Sequence, residues 1–127
     1  MPAWLLHGLD YAFIALHCLV IGFNLFGWCW RGTRRANLVL LVLTGLSWFG
    51  LGIFYGWGYC PLTDWHYDVL QALGETGLPY SYVNYMLGRC CGITADAFWV
   101  DVCVVVSYFT SLAISLTLNI RDWRRFA

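Results

Sequence analysis

The chain has 127 residues, of which 61% are hydrophobic and 11% are charged, and its mean hydropathy is +0.65. Soluble domains carry about 25% charged residues, so this composition excludes a water-soluble globular fold and predicts a single transmembrane domain over residues 1–127. The net charge is zero and the sequence contains no lysine. Nucleic-acid binding is also excluded, because no basic face combines arginines with base-stacking aromatic side chains.

The first apolar run predicts an uncleaved transmembrane helix over about residues 4–28, since roughly 20 apolar residues cross the hydrocarbon core. Four polar residues in this run lie three or seven positions apart and share one helical face: His7, Asp10, His17 and Asn24. Polar groups at membrane depth face a bundle interior or a cavity, so His17 and Asn24 are expected to contact neighbouring helices. Haem at His17 is not predicted, because neither other span contains a histidine for the second axial position.

Two arginine clusters determine the predicted topology. They are Arg31, Arg34 and Arg35 after the first span, and Arg121, Arg124 and Arg125 after the third. The positive-inside rule places both clusters in the cytoplasm, which requires two spans between them; these are predicted over about residues 36–57 and 97–119. The N-terminus is therefore expected outside and the C-terminus inside. The third span also has a polar seam, formed by Asp101, Tyr108, Ser111 and Ser115.

The region from about residue 60 to residue 96 is too short and too polar to cross the membrane, and it contains two short amphipathic patterns. The apolar positions expected to be buried are Trp65, Val69, Leu73, Val83, Met86 and Leu87. These patterns predict two short helices that cover the outer end of the bundle. The predicted fold is therefore an all-α membrane protein with three transmembrane helices and a helical extracytoplasmic cap.

Titratable side chains collect on the predicted outer side. The cluster consists of His7, Asp10, Asp64, His66, Asp68 and Asp101. Carboxylates and imidazoles of this kind bind a cation or pass protons. The simpler interpretation is that they pair locally with backbone groups, tyrosines and Arg89. No spaced metal-binding motif is present, so no cofactor is predicted, and a metal ion is kept only as an alternative.

Three of the six cysteines, Cys60, Cys90 and Cys91, lie in the predicted outer region, where disulfides form. A bridge from Cys60 to either Cys90 or Cys91 is expected. The sequence Cys60-Pro61-Leu62-Thr63 has threonine where a redox Cys-x-x-Cys motif has its second cysteine. A thiol-redox function is therefore only the third hypothesis.

Residues 56–66 read Gly-Trp-Gly-Tyr-Cys-Pro-Leu-Thr-Asp-Trp-His. This stretch resembles an uncharacterised bacterial membrane-protein family, domain of unknown function 2784, in which a Cys-Pro-Leu-Thr signature follows a transmembrane helix. His17 and the turn at residues 23–28 resemble it as well, and Asp64 corresponds to an acidic residue that many members carry after the signature. Other members have a histidine in the second span, which this chain lacks. The resemblance implies a bacterial inner-membrane location and no established activity.

The sequence supports two main hypotheses about function. The first is a non-catalytic accessory or interaction subunit, whose partners are the lipid bilayer and other membrane-protein subunits or a second copy of the chain. The alternative is a membrane enzyme or transport element that uses the outer cluster of aspartates and histidines to handle cations or protons. The sequence itself identifies neither a substrate nor a catalytic residue.

Overall fold

The computed structural model describes residues 2–94 and 96–126, and these ranges contain helices and no strand. The α-helices are α1 (Ala3–Phe26), α2 (Arg34–Gly45), α3 (Gly52–Tyr55), α4 (Pro61–Ala72), α5 (Tyr82–Met86) and α6 (Ala97–Phe126). A π-helical stretch, Leu46–Leu51, joins α2 to α3, and a second one, Leu87–Cys91, follows α5. The predicted all-α fold class is confirmed.

Three helical segments are long and apolar enough to cross a membrane: Ala3–Cys29, Arg31–Tyr55 and Ala97–Arg125. Their lengths of 27, 25 and 29 residues exceed the roughly 20 residues that a bilayer requires. Large apolar side chains cover their outward faces; Leu19 is 70% exposed and Phe54 is 80% exposed. Such faces suit contact with acyl chains rather than with water.

The two arginine clusters lie at the same end of the bundle, which we call the arginine end. Arg34, at the start of α2, donates a hydrogen bond from Nη1 to Oδ2 of Asp122 in α6 at 2.9 Å. The Asn119 side chain donates to the backbone oxygen of Arg34 at 3.0 Å. Two long helical segments separate the two clusters, so both clusters lie at one end of the bundle, as the predicted topology requires.

Polar side chains connect the three long helices. Asn24 donates to the Thr44 hydroxyl at 3.0 Å, and Asn37 donates to the backbone oxygen of Phe23 at 2.6 Å. The third helix contributes Tyr108, whose hydroxyl donates to the backbone oxygen of Leu41 at 2.6 Å. The expected seam on α6 is buried at Tyr108, Ser111 and Ser115. Asp101, expected in the same seam, is instead exposed, because the adjacent Val100 occupies the inward-facing position at this level of α6.

The chain reverses direction directly after α3. Gly56 has a φ of +112°, a conformation that side-chain-bearing residues rarely adopt, and it ends the helix. The following residues run back along the helix, where Gly58 N–H donates to the Trp48 backbone oxygen at 3.1 Å and Ser47 Oγ donates to the Tyr59 backbone oxygen at 2.7 Å. Because Ser47 precedes the helix end by eight residues, α4 begins about 12 Å below that end.

The folded-back segment, Pro61–Cys91, packs along the side of α1 rather than across its end. His66 of α4 contacts Asp10, and Tyr82 of α5 stacks on His17. Asp10 and His17 lie seven and fourteen residues after Ala3, which corresponds to about 10 and 21 Å along the helix axis. The segment therefore fills the space beside the half of α1 that is remote from the arginine end.

The buried face of α4 differs from the expected one. Trp65 is 55% exposed, whereas His66 is fully buried and Leu70 is 2% exposed. The expectation that Trp65 anchors this helix is therefore wrong. The physical reason is that the neighbouring surface of α1 presents a carboxylate as well as apolar groups, so a hydrogen-bonding histidine is turned inward and the tryptophan outward.

Candidate functional site

A buried chain of hydrogen bonds runs from α1 through α4 to α5. His66 Nε2 lies 2.6 Å from Oδ1 of Asp10, and His66 Nδ1 lies 2.9 Å from the Tyr82 hydroxyl. His66 is fully buried, while Asp10 is 4% exposed and Tyr82 is 6% exposed. Three titratable side chains that are far apart in the sequence are thus linked in a largely buried position.

Local helix geometry explains how these side chains reach one another. Asp10, Phe13 and His17 lie three and four residues apart on α1 and therefore share one face. Pro61 occupies the first turn of α4, a position that suits proline because its missing N–H has no helical partner there. On the other side, Ser81 caps α5 by accepting from Asn84 N–H at 3.4 Å, which places Tyr82 in the first turn.

Arg89 closes the cluster from the side of the folded-back segment. Its Nη1 and Nη2 donate to the two carboxylate oxygens of Asp10 at 2.7 and 2.8 Å, and Nη1 also donates to the Tyr85 hydroxyl at 2.8 Å. The guanidinium carbon lies 5.8 Å from the ring centre of Tyr11 and 6.0 Å from that of Tyr85. A bidentate pair of this kind combines charge neutralisation with a fixed orientation, so Asp10 is held as a carboxylate.

Aromatic rings surround the hydrogen-bonded chain. Phe13 stacks on His66 with ring centres 5.6 Å apart, and His17 stacks on Tyr82 at 3.7 Å with an angle of 9° between the ring planes. Nδ1 of His17 is buried and has no hydrogen-bond partner in the part of the chain that the structure describes. A buried polar atom without a partner costs free energy, which distinguishes His17 from the satisfied groups beside it.

The chemistry of the partners determines where the protons lie. An ionised carboxylate only accepts hydrogen bonds, so His66 Nε2 carries a hydrogen and donates it to Asp10. In the neutral imidazole the other nitrogen is an acceptor, and Tyr82 donates its hydroxyl hydrogen to Nδ1. In the imidazolium both nitrogens donate, and the Tyr82 oxygen becomes the acceptor. The same positions of the heavy atoms therefore suit both protonation states of His66.

The folded-back segment also shifts the acid–base properties of its own side chains. Burial raises the pKa of Tyr82 and of Tyr67 above the ordinary value, so both phenols stay neutral. The hydrogen bonds that Arg89 donates to Asp10 raise the pKa of Arg89, which therefore stays cationic. The cluster thus holds one fixed positive and one fixed negative charge, with His66 between the carboxylate and a neutral phenol.

An open pocket of about 540 Å³ lies beside this cluster, between α1, the loop after α4 and the end of α5. Its lining includes Asp10, Tyr85 and Arg89 from the cluster. His7 and Glu75 line it as well, and both are exposed. The Asp10 carboxylate therefore has the pocket on one side and the buried His66 on the other.

The structure brings together only part of the polar cluster expected from the sequence. Asp10 and His66 are in direct contact, and His7 lies at the pocket without joining their hydrogen bonds. Asp64 is exposed and accepts a hydrogen bond from the Tyr59 hydroxyl at 3.1 Å. Asp68 and Asp101 are exposed and lie outside the buried chain. The site is therefore smaller and more enclosed than the sequence pattern suggests.

Metal binding finds little support in this arrangement. Within residues 2–94 and 96–126, no three His, Cys, Asp or Glu side chains form a group that could hold a metal ion. Asp10 uses its oxygens on His66 and Arg89, and His66 uses its nitrogens on Asp10 and Tyr82. The positive charge of Arg89 also repels an incoming cation.

The six cysteines are free thiols in this structure. Cys60 is half-buried, whereas Cys90 and Cys91 are exposed. The bridge expected between Cys60 and one of the other two stays a prediction for the oxidised protein.

The sequence pattern missed Tyr82 and Tyr85 as members of the site, and it named Arg89 only as a general partner for acidic groups. The sequence does single out Arg89 as a candidate site residue, because it is the one arginine outside the two clusters. A lone arginine in a region rich in acidic residues needs a carboxylate partner. The choice of Asp10, 79 positions away, depends on the packing of the folded-back segment against α1.

Comparison with known proteins agrees with the resemblance noted in the sequence. A family model described as "Protein of Unknown function (DUF2784)" matches residues 7–120. The matched range contains the whole hydrogen-bonded cluster, all of the second long helical segment and most of the first and third. No curated protein and no solved structure matches the chain.

Proposed function

We propose that this chain, which belongs to the family of proteins of unknown function 2784, is an integral membrane protein that transfers protons through Asp10, His66 and Tyr82. The description of the family assigns no activity. The observation that carries this proposal is the use of both ring nitrogens of His66. Each nitrogen contacts a titratable group, at 2.6 Å for Asp10 and 2.9 Å for Tyr82. Distances in this range allow proton transfer between neighbouring groups.

The hydrogen bonds give the transfer a direction. The Tyr82 hydroxyl donates to Nδ1 of the neutral His66, and His66 Nε2–H donates to the Asp10 carboxylate, so both bonds point toward the pocket. In one transfer the Tyr82 proton moves to Nδ1, the Nε2 proton moves to Asp10, and Asp10 releases it to water in the pocket. Tyr82 regains a proton from the side of the arginine end, where His17, stacked on it, is the next titratable side chain; Nδ1 of His17 is buried without a hydrogen-bond partner among the described residues.

Proton flux into vesicles tests this proposal. The full-length protein is reconstituted into vesicles that contain a pH-sensitive dye, and a membrane potential set by potassium and valinomycin drives protons inward. We expect wild-type vesicles to acidify faster than protein-free vesicles. His66→Gln should reduce the rate to the protein-free level, since glutamine preserves a hydrogen bond to Asp10 but does not take up a proton. Tyr82→Phe, which keeps the ring stack on His17, should act in the same way.

His7→Gln is the matched control, because His7 is an exposed histidine at the same end of α1 that lies outside the hydrogen-bonded chain. Its flux should equal that of the wild type. Wild-type vesicles that acidify no faster than protein-free ones would exclude proton transport, as would full flux in His66→Gln.

A second function, that of a non-catalytic accessory or interaction subunit, is favoured by a different observation. Arg89 and His66 together satisfy both oxygens of Asp10, so the cluster fastens the folded-back segment to α1 without requiring any ligand. Under this proposal the segment presents a fixed surface to other membrane-protein subunits or to a second copy of the chain. Arg89→Gln should then release a partner that co-purifies from native membranes, whereas Arg125→Gln, at the arginine end, should retain it.

We further propose that the chain lies in a bacterial cytoplasmic membrane with the arginine end in the cytoplasm, as the positive-inside rule implies. A membrane-impermeant thiol reagent added to intact cells tests the orientation in a background without native cysteines. A single cysteine at Glu75 should be labelled, and one at Thr33 should be protected. The opposite pattern would invert the orientation.

A further inference from the structure

A second pocket, of about 250 Å³, lies at the arginine end between the start of α2 and the end of α6. Its lining includes Arg31, Arg34, Arg35, Asn119, Asp122 and Trp123. We propose that this pocket binds the anionic phosphate ester group of an acidic phospholipid or of a soluble phosphate. The proposal is independent of the proposed function, because the pocket and His66 lie toward opposite ends of α1.

The charges in the pocket leave room for an anion. Asp122 is the one acidic residue of the lining. Its carboxylate is neutralised by Arg34, whose Nη1 lies 2.9 Å from Oδ2, and Nη2 of Arg121 lies 3.7 Å from Oδ1. Arg31 and Arg35 form no ion pair within the described part of the chain. Two positive side chains thus face the pocket without a counter-charge. Guanidinium groups match phosphate oxygens through paired N–H donors.

Arg34 gives the pocket a fixed wall. Its side chain is 12% exposed, its Nη1 bonds to Asp122, and its Nε donates to the Trp28 backbone oxygen at 2.9 Å. The Asn119 side chain donates to the backbone oxygen of Arg34. The two helices are therefore joined at the pocket, which reduces the ordering cost of binding.

The position of the pocket favours a lipid as the source of the phosphate. The pocket lies at the ends of two membrane-spanning segments, where headgroup phosphates lie, and basic pockets between such helices bind acidic headgroups. Trp123 is 68% exposed beside it, as is typical of the membrane interface. One and two helical turns further into the span, Ile120 and Leu116 are 39% and 46% exposed. These apolar side chains offer a surface for the acyl chains of the same lipid.

Native mass spectrometry of the full-length protein in mild detergent tests the proposal. The probe is phosphatidylglycerol, titrated in parallel with phosphatidylcholine, which has a phosphate but no net charge. The double variant Arg31→Gln/Arg35→Gln should weaken phosphatidylglycerol binding by about tenfold or more, since charge-assisted hydrogen bonds are lost. The matched control is Arg124→Gln/Arg125→Gln, which removes the same charge from exposed arginines outside the pocket. It should bind as the wild type does.

Inorganic phosphate identifies the source of the ligand. If millimolar phosphate displaces phosphatidylglycerol from the wild type and this displacement is lost in Arg31→Gln/Arg35→Gln, the pocket takes a soluble phosphate. If phosphate does not compete, the pocket takes the lipid headgroup. An equal loss of binding in the two double variants would overturn the proposal, because it would mean that diffuse charge attracts the lipid. Equal binding of phosphatidylcholine and phosphatidylglycerol would overturn it as well.

Discussion

Replacing Asp10 with asparagine should release the folded-back segment from α1. The Asp10 carboxylate accepts from His66 at 2.6 Å and from two nitrogens of Arg89 at 2.7 and 2.8 Å. Asparagine has nearly the same shape, but it has one acceptor oxygen, and its NH₂ group faces a donor. The variant therefore removes the negative charge while leaving the packing almost unchanged.

The expected cost follows from the burial of the two charges. Removing one partner of a buried ion pair destabilises a protein by about 3–5 kcal/mol, because the other charge is left uncompensated. The Asp10 side chain is 5% exposed, but that of Arg89 is 29% exposed, so the guanidinium regains part of its hydration. We therefore expect the lower limit, about 3 kcal/mol, in the free energy of opening the folded-back segment.

Hydrogen–deuterium exchange measures this opening directly, because α4 and α5 can detach while the long helices stay in the membrane. A change of about 3 kcal/mol corresponds to roughly 100-fold faster exchange of the protected amides in these helices. Exchange in the middle of α6 should stay unchanged. In a double-mutant cycle, Asp10→Asn combined with Arg89→Gln should cost clearly less than the sum of the single variants, since each removes the same interaction.

Asp68→Asn is the matched control. It makes the same chemical change on the exposed face of α4, where Asp68 does not contact the cluster. It should alter exchange by less than about twofold. The reasoning would be refuted if Asp10→Asn accelerated exchange by less than threefold, or if both variants had the same effect.

Two further predictions concern stability. Gly45→Ala should destabilise the bundle by about 1–3 kcal/mol, because its Cβ would lie 2.5 Å from the Tyr108 hydroxyl; Gly22→Ala, whose Cβ meets open space, is the control in thermal unfolding. Burial raises the pKa of Tyr82 above its ordinary 10.0, so the folded protein retains this proton longer than the unfolded chain. The ionisation of Tyr82 should not change the free energy of unfolding below pH 10, and above pH 10 it should lower this free energy by up to about 1.4 kcal/mol per pH unit. Tyr82→Phe should remove this contribution to the pH dependence measured in unfolding titrations. Equal losses in the two glycine variants, or an unchanged alkaline slope, would contradict these predictions.

The sequence alone determined the number of long helices and the grouping of their charged ends. An apolar run of about 20 residues indicates a transmembrane helix, because a helix of that length is needed to cross the bilayer and helices of soluble proteins seldom contain so many consecutive apolar residues. The arginine clusters had to meet at one end because two spans separate them, and Arg34 and Asp122 do meet there. The polar face of α1 was also visible as a spacing of three and seven residues.

The sequence was less informative about the folded-back segment. A helical apolar pattern assumes water on one side of the helix, and on that assumption Trp65 belongs inside. Beside a membrane-spanning helix, the outward face is itself suited to an apolar side chain, and the inward face is where polar groups find partners. Trp65 therefore turns outward and His66 turns inward.

Only the tertiary structure decided which charges pair. Asp10 had several candidate partners in sequence, and the reversal at Gly56 selected among them by directing α4 back along α1. The resulting contacts join residues 56 and 79 positions apart. Spacing within one helix cannot specify such contacts, because they depend on the depth at which a second element packs. The cluster that carries the proposed function is therefore a property of the fold, although each of its side chains is present in the sequence.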